Sequence, residues 1–368
     1  MHITLYYTTL AGGGTERVLV RLATEFASLG HRVDLLLMSL GSKAYADEID
    51  ARVRVVDLGA VRMRTGFLRF VAYLRRERPD VVISAGNLPN AFSAWGARTV
   101  RPRPWVVFTY HELAASAVGR DISRTRLLSW MSKRNGRLAD SLVAVGPGLA
   151  AKLESIMGVP EKTIRAIHNP VWHASIEARA RAPIPHPWLA SRETPVVMAV
   201  GRLETVKGHR TLLDAVALLR RRRPVRLLIL GAGSEQANLQ ARIAELGLTG
   251  SAELVGFHDN PFAWMARASV LVLSSEREGF GNVLVEAMAC GTPVVSTDCP
   301  TGPPEILDGG RYGGLVAVGD AEAMATAIEQ QLDAPVPVAV LRQRAQAFSA
   351  EASAMAYLAL VPPPADRR

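Results

Sequence analysis

The chain of 368 residues has 49% hydrophobic and 21% charged residues, two cysteines and a formal net charge of +9. High apolar content, no three-residue glycine period and no sustained heptad exclude a disordered, collagen-like or coiled-coil chain, and two cysteines, Cys290 and Cys299, exclude a disulfide framework. Residues 1–175 carry 24 Lys and Arg against 14 Asp and Glu, whereas residues 176–368 carry 19 against 20; the cationic excess lies in the first half and suggests an anionic partner, nucleic acid or membrane headgroups.

From the N-terminus, β-branched runs alternate with amphipathic stretches, the pattern of a parallel sheet covered by helices. Strands are predicted at His2–Tyr7, Arg32–Met38, Val53–Asp57, Val81–Ser84, Trp105–Thr109, Leu142–Val145 and Thr163–Ile167, and helices at Thr15–Leu29, Phe67–Arg76 and Ser123–Leu138. Residues 1–170 thus form one open α/β domain. After the first strand, Gly12, Gly13 and Gly14 let backbone approach a ligand, as in anion-binding strand–loop–helix turns. His111 follows the fifth strand at the carboxyl edge of the sheet, where open α/β sheets bind ligands.

Residues 171–194, with Pro183, Pro185 and Pro187, read as an extended linker. A second alternation occupies 195–337, with strands at Val196–Val200, Leu227–Leu230, Ala252–Val255, Val270–Leu273 and Val294–Ser296. Its helices fall near His209–Arg220, Glu235–Leu246, Val283–Ala289 and Ala321–Leu332. Residues 338–368 are Ala-rich and helical over Val338–Leu360, and are expected to pack back onto the first domain. No leader pattern and no run of about 18 apolar residues are present, so a cytoplasmic protein is expected.

Charged groups beside glycine turns mark the second domain. In Gly201-Arg202-Leu203-Glu204-Thr205-Val206-Lys207-Gly208, two cations converge on a helix start, a combination suited to a diphosphate. Leu230-Gly231-Ala232-Gly233 begins like a dinucleotide fingerprint, but Gln236 stands where the third glycine is required. In Glu278-Gly279-Phe280-Gly281-Asn282-Val283-Leu284-Val285-Glu286, two carboxylates flank a glycine turn that opens a helix. The pair can grip hydroxyls at two points of one ligand, and the helix start offers free N–H groups.

This last segment resembles the E-x7-E signature of the retaining glycosyltransferases of family 4, and the resemblance extends over nearly the whole chain. It implies the GT-B architecture: two Rossmann-like α/β/α domains facing across a cleft, with a C-terminal helix crossing back to the first. Residues 201–208 are similar to the family's G-R-x4-K-G element and residues 13–17 to its G-G-x-E-R loop. By position, the resemblance makes Arg202, Lys207, Gly13 and Gly14 the donor phosphate ligands. Glu278 and the backbone of Phe280, Gly281 and Asn282 would meet the donor sugar, Glu286 the ribose, Val255 and Phe257 the base, and His111 the reacting carbon. His111 and Glu278 are the catalytic candidates.

No Asp-x-Asp triplet occurs, so no metal or other cofactor is expected, and cations with helix termini must neutralise a leaving diphosphate. The expectation is a retaining, metal-independent transfer of a hexose or N-acetylhexosamine from a nucleotide diphosphate sugar to a glycan or lipid-linked acceptor in surface-polysaccharide biosynthesis. The segment Thr297–Leu307 resembles bacterial members that build surface glycans and tilts the donor to a UDP-sugar; Pro304 departs from the Arg often found there. The alternatives are a UDP-sugar epimerase of the same fold and a basic nucleic-acid-binding protein; the latter lacks an aromatic-plus-basic motif or recognition helix. Arg62, Arg64 and Arg69, with Phe67 and Phe70, are the expected contact with an anionic membrane.

Overall fold

The computed structural model describes residues 1–10, 13–41, 48–60, 62–112, 134–191 and 193–363. The chain divides into two compact units: Met1–Pro170 with Ala350–Arg368, and Val171–Ser349. Most of the predicted helix Ser123–Leu138, Gly12, and the arginines from Arg120 to Arg126 lie outside the described residues.

Unit 1 is built on β1 (His2–Tyr7), β2 (Arg32–Leu37), β3 (Val53–Asp57), β4 (Val81–Ala85), β5 (Trp105–Tyr110), β6 (Ser141–Ala144) and β7 (Ile164–Ala166). They form one parallel sheet in the order β3-β2-β1-β4-β5-β6-β7. Every residue of β4 is buried, as a strand covered on both faces requires. Side chains alternate between two cores. Leu5 packs with Leu19, Leu22 and Phe26 of the helix Gly14–Ser28 and with Ala354 and Tyr357 of the helix Ala350–Leu358. Tyr6 points the other way, stacked on Phe70 at 4.6 Å among residues of the helices Met63–Glu77 and Asn87–Gly96. Each such buried side chain stabilises the fold by about 1.5–3 kcal/mol.

Unit 2 repeats the plan with β8 (Val196–Val200), β9 (Arg226–Leu230), β10 (Ala252–Gly256), β11 (Val270–Leu273), β12 (Val294–Thr297) and β13 (Gly314–Val316), in the order β10-β9-β8-β11-β12-β13. All are parallel. Strand order reverses at β8 and β11, which opens a crevice outside their carboxyl ends.

The boundaries differ from the sequence reading in two places. Residues 171–194 are not an extended linker: helices Ser175–Ala180 and Pro187–Ser191 bury Ile176 and Leu189 within unit 2. Pro187 opens a helix there, since its fixed φ suits a first turn. The C-terminal stretch is two helices, and only Ala350–Leu358 belongs with unit 1. The helix Val338–Gln346 packs on the helix Asn282–Cys290 of unit 2.

Unit 1 carries a buried charge at the amino edge of its sheet. The Asp34 carboxylate, with no exposed surface, accepts hydrogen bonds from His2 Nε2 at 2.9 Å, Tyr73 Oη at 2.6 Å and the Arg54 guanidinium. Burial alone would raise its pKa, but these donors outweigh it and hold the carboxyl far below the ordinary range. A depressed folded pKa contributes stability above the unfolded pKa of about 3.9 that is lost as pH falls below it. The Asp34→Asn variant is therefore expected to lose about 3 kcal/mol at pH 7, as when one partner of a buried pair is removed. Its urea midpoint should also fall less steeply than that of the parent between pH 5 and pH 3, read by far-UV circular dichroism.

Candidate functional site

The site in unit 2 begins with backbone packing at the carboxyl ends of β8, β9 and β11. The β8 extension, Gly201 to Glu204, lies against the Gly231-Ala232-Gly233 turn, with Leu203 N–H donating to Ala232 O and Glu235 N–H to Leu203 O. A Cβ on Gly231 would sit 1.8 Å from Gly201 O, and one on Gly233 2.4 Å from Leu203 O. This pair of glycines is thus a brace for the segment that bears Arg202, which explains why a Gly-x-Gly stands here without the third glycine of a dinucleotide site. The Arg202 side chain is exposed, and its carbonyl accepts a hydrogen bond from His209 Nε2 at 3.2 Å. Burial chiefly, aided by the charge of Lys207, lowers the His209 pKa to about 4, so its ring is neutral and that bond fixes the proton on Nε2.

Lys207 ends a 3₁₀ turn, Thr205–Lys207, and Gly208 follows with φ +62 at the start of the helix His209–Arg220. The turn is pinned to the β11 extension by Ser274 Oγ donating to Lys207 O at 2.9 Å and Glu276 N–H donating to Val206 O at 2.9 Å. Lys207 Nζ lies 2.6 Å from Glu278 Oε1, and Ser275 Oγ donates to the same oxygen at 2.6 Å. The side chains are 20% and 12% exposed, so the pair is mostly out of water and little screened.

Ser275 is itself fixed, because its carbonyl accepts from Thr297 Oγ1 at 2.5 Å and from Cys299 Sγ at 3.0 Å. Thr301 Oγ1 donates to Glu278 O. Burial pushes the Cys299 thiol up to about 11, so it remains a thiol. The Thr301-Gly302 turn rests on the Glu278 loop so closely that a Cβ on Gly302, φ +87, would lie 2.0 Å from Phe280 O. Sequence reasoning misses Ser275, Thr301 and Gly302 as site residues; the recurrence of hydroxyl residues at strand ends beside the glycine loop is the available signal.

Gly281, at φ +98, opens the helix Asn282–Cys290. Asn282 begins that helix, and Glu286 sits in its second turn, buried to 6% exposure. The Phe280 ring is buried against Phe348, with ring centroids 5.6 Å apart. Arg344 stacks on Phe348 and donates to the carbonyls of Glu305 and Ile306, tying the short helix Pro303–Ile306 to the same layer. At the end of β10, Val255 is half-buried and the Phe257 ring is 57% exposed; Gly256 O accepts from Gly231 N–H at 2.8 Å. Arg202, Lys207, Glu278 and the helix start at Gly281 are all held by elements at the strand-order reversal.

In unit 1, Gly13 precedes the helix that Gly14 opens, and the Gly13 N–H donates to the Glu16 carboxylate at 2.8 Å. A side-chain anion thus already occupies one amide of this turn. His111 follows β5; its Nε2 lies 3.1 Å from Thr109 Oγ1, and burial lowers its pKa to about 4. The arginine patch differs from its sequence reading. Phe70 is fully buried against Tyr6, and Arg69 donates to the carbonyls of Leu58 and Gly59. Met63 and Leu68, 64% and 67% exposed, take its place beside Arg62 and Arg64. Next to them an open groove of about 580 Å³ is lined by Phe67, Leu68, Val71, Ala72, Arg75, Arg76 and Thr99. Among the described residues no cluster of His, Cys, Asp and Glu side chains could hold a metal ion, and no helix is long and apolar enough to cross a membrane.

The profile of glycosyltransferase family 4 matches residues 12–174, and that of glycosyl transferases group 1 matches residues 194–334. The lipopolysaccharide core biosynthesis glycosyltransferase LpsE of Rhizobium meliloti is 31% identical over 330 residues, 86% of this chain and 85% of the relative. An N-acetylgalactosaminyltransferase of Campylobacter jejuni, whose name specifies a diphospho-undecaprenol-linked acceptor, is 36% identical over 137 residues, 37% of each chain. Among solved structures, Anabaena HepE in complex with UDP superposes with a TM-score of 0.77 at 20% identity, covering 98% of this chain and 99% of that one.

Proposed function

The chain belongs to glycosyltransferase family 4, with the two parallel-sheet α/β units of the GT-B fold, and from that membership we propose a specific reaction. It transfers a hexose or N-acetylhexosamine from a UDP-sugar to a glycan or lipid-linked acceptor of the cell surface, with retention and without a metal ion. The observation that carries this reading is the Lys207–Glu278 pair at the reversal of strand order, beside Arg202 and two helix starts. A cation and a carboxylate within one hydrogen bond of each other suit a ligand that carries a diphosphate next to sugar hydroxyls.

In the proposed pose Arg202, Lys207 and the amides that begin the helix His209–Arg220 hold the diphosphate. Glu278 accepts from sugar hydroxyls, Phe280, Gly281 and Asn282 offer backbone, Glu286 takes the ribose, and Val255 and Phe257 flank the base. The bond from the anomeric carbon to the phosphate oxygen breaks, and the acceptor oxygen bonds that carbon on the same face. The proton of the acceptor hydroxyl passes to the departing phosphate, which needs no protein acid. The test is a screen of nucleotide sugars for donor hydrolysis in EDTA, followed by NMR of the anomeric product. Turnover of a UDP-sugar with retention is expected; inversion, or turnover only after metal is added, would overturn the corresponding part.

Unit 1 is proposed to receive the acceptor at an anionic membrane surface through Arg62, Arg64, Met63 and Leu68. The support is a pair of exposed apolar side chains among cations, the composition of an interfacial helix. Sedimentation with phosphatidylglycerol vesicles at low salt should exceed that with phosphatidylcholine, and Leu68→Asp should weaken it about tenfold through lost apolar burial and added repulsion. Equal sedimentation of the variant and its parent would remove this contact.

A further inference from the structure

The proton inventory around His111 settles more than its position. Thr109 is buried on β5, and its hydroxyl has one hydrogen and two contacts: the Ser84 carbonyl at 3.2 Å and His111 Nε2 at 3.1 Å. A carbonyl oxygen can only accept, so the Thr109 hydrogen goes to Ser84 O. The hydroxyl oxygen must then accept from the ring, which places a hydrogen on Nε2.

Ser84 lies fully buried on β4, and Ala85 pairs with Thr109 in the parallel ladder, so the carbonyl that sets this direction cannot turn away. Burial lowers the His111 pKa to about 4, so near neutrality the ring carries a single hydrogen. Its Nδ1 is buried and has no hydrogen-bond partner among the described residues. A buried acceptor without a partner costs free energy, roughly 1–3 kcal/mol, that a ligand hydrogen bond would recover.

We propose that Thr109 is a positioning residue that locks His111 as the Nε2–H tautomer, so that Nδ1 is left as the acceptor for a substrate hydroxyl. The substrate class rests on the function proposed above; the tautomer does not. In this state the imidazole receives a hydrogen bond and donates none to the ligand, so it orients a hydroxyl. The Ser84 carbonyl, Thr109 and His111 form a relay in which the direction of each bond is dictated by the one before.

The experiment has two arms on the full chain. With 15N-histidine, long-range 1H–15N spectra at pH 7.5, assigned by loss of signal in His111→Gln, should show His111 protonated at Nε2 and bare at Nδ1. Thr109→Val, which keeps the shape but has no hydroxyl, should give mixed tautomers and lower kcat for donor hydrolysis about five- to tenfold, the worth of one hydrogen bond. KM should change little, and Thr109→Ser should restore both the spectrum and kcat. A parent protein protonated at Nδ1, or a Thr109→Val spectrum identical to that of the parent, would overturn the proposal. If no nucleotide sugar is hydrolysed by the parent, the functional reading falls while the spectra still decide the tautomer.

Discussion

Lys207→Ala is expected to lower kcat/KM for the nucleotide sugar by about 10²–10³-fold, the cost of removing one preorganised charge from a transition-state site. The loss has two sources. Departure of a diphosphate leaves negative charge that Lys207 would neutralise, and the same ammonium, 2.6 Å from Glu278, holds the carboxylate proposed to accept from the sugar hydroxyls. Lys207→Arg should recover only part of the activity, because a planar fork cannot reproduce a point charge on a single carboxylate oxygen that the Ser275 hydroxyl also reaches. Combining Lys207→Ala with Glu278→Gln should cost much less than the sum of the two single losses, since residues acting as one unit are not additive. Steady-state hydrolysis of the preferred donor measures the parent and all four variants. Strict additivity, or less than a threefold loss in Lys207→Ala, would separate the pair from the chemistry.

How far the sequence reveals this arrangement varies with the range of the interaction. His2–Tyr7, Val53–Asp57, Val196–Val200 and Val270–Leu273 are strands with the predicted ends, because a β-branched run is a local signal. Helices Asn87–Gly96 and Pro147–Met157 go unpredicted: each contains Pro and is preceded by Gly, so local chemistry reads as loop while packing makes helix. β13 is three residues long and offers no run to detect. The burial of Phe70 has a legible signal, since it falls with Gly66, Tyr73 and Leu74 on one helical face; its arginine neighbours in sequence draw the reading to the surface.

The site shows the same division. Glu278 and Lys207 stand out singly as charges beside glycine turns, yet their contact joins residues 71 apart and depends on the packing of β8 beside β11. Ser275, Thr297 and Thr301 act through carbonyl and hydroxyl geometry that no spacing rule encodes. Gly231 and Gly233 illustrate the reverse case: a strong local pattern whose cause is the close approach of the Gly201–Leu203 backbone rather than a pyrophosphate.

Backbone contact of that kind makes Gly208 the residue on which the site's assembly turns. It adopts φ +62, and a Cβ there would meet Ser274 O at 2.0 Å. The left-handed conformation alone costs a non-glycine residue about 1–2 kcal/mol. The clash adds more, because Ser274 O is buried backbone immediately after β11 and cannot rotate away like a side chain. Gly208→Ala is therefore expected to destabilise the protein by about 2–4 kcal/mol. Separating the 3₁₀ turn from Ser274 also moves Lys207 away from Glu278, so donor hydrolysis should fall about as far as in Lys207→Ala. Gly247 supplies the control, with φ +66 and open space for 4 Å around the position a Cβ would take. Gly247→Ala should show only the conformational cost, about 1 kcal/mol by urea denaturation, with donor hydrolysis intact. Equal effects of the two substitutions would mean that the close approach at Ser274 relaxes freely, and that the turn does not set the distance between the cation and the carboxylate.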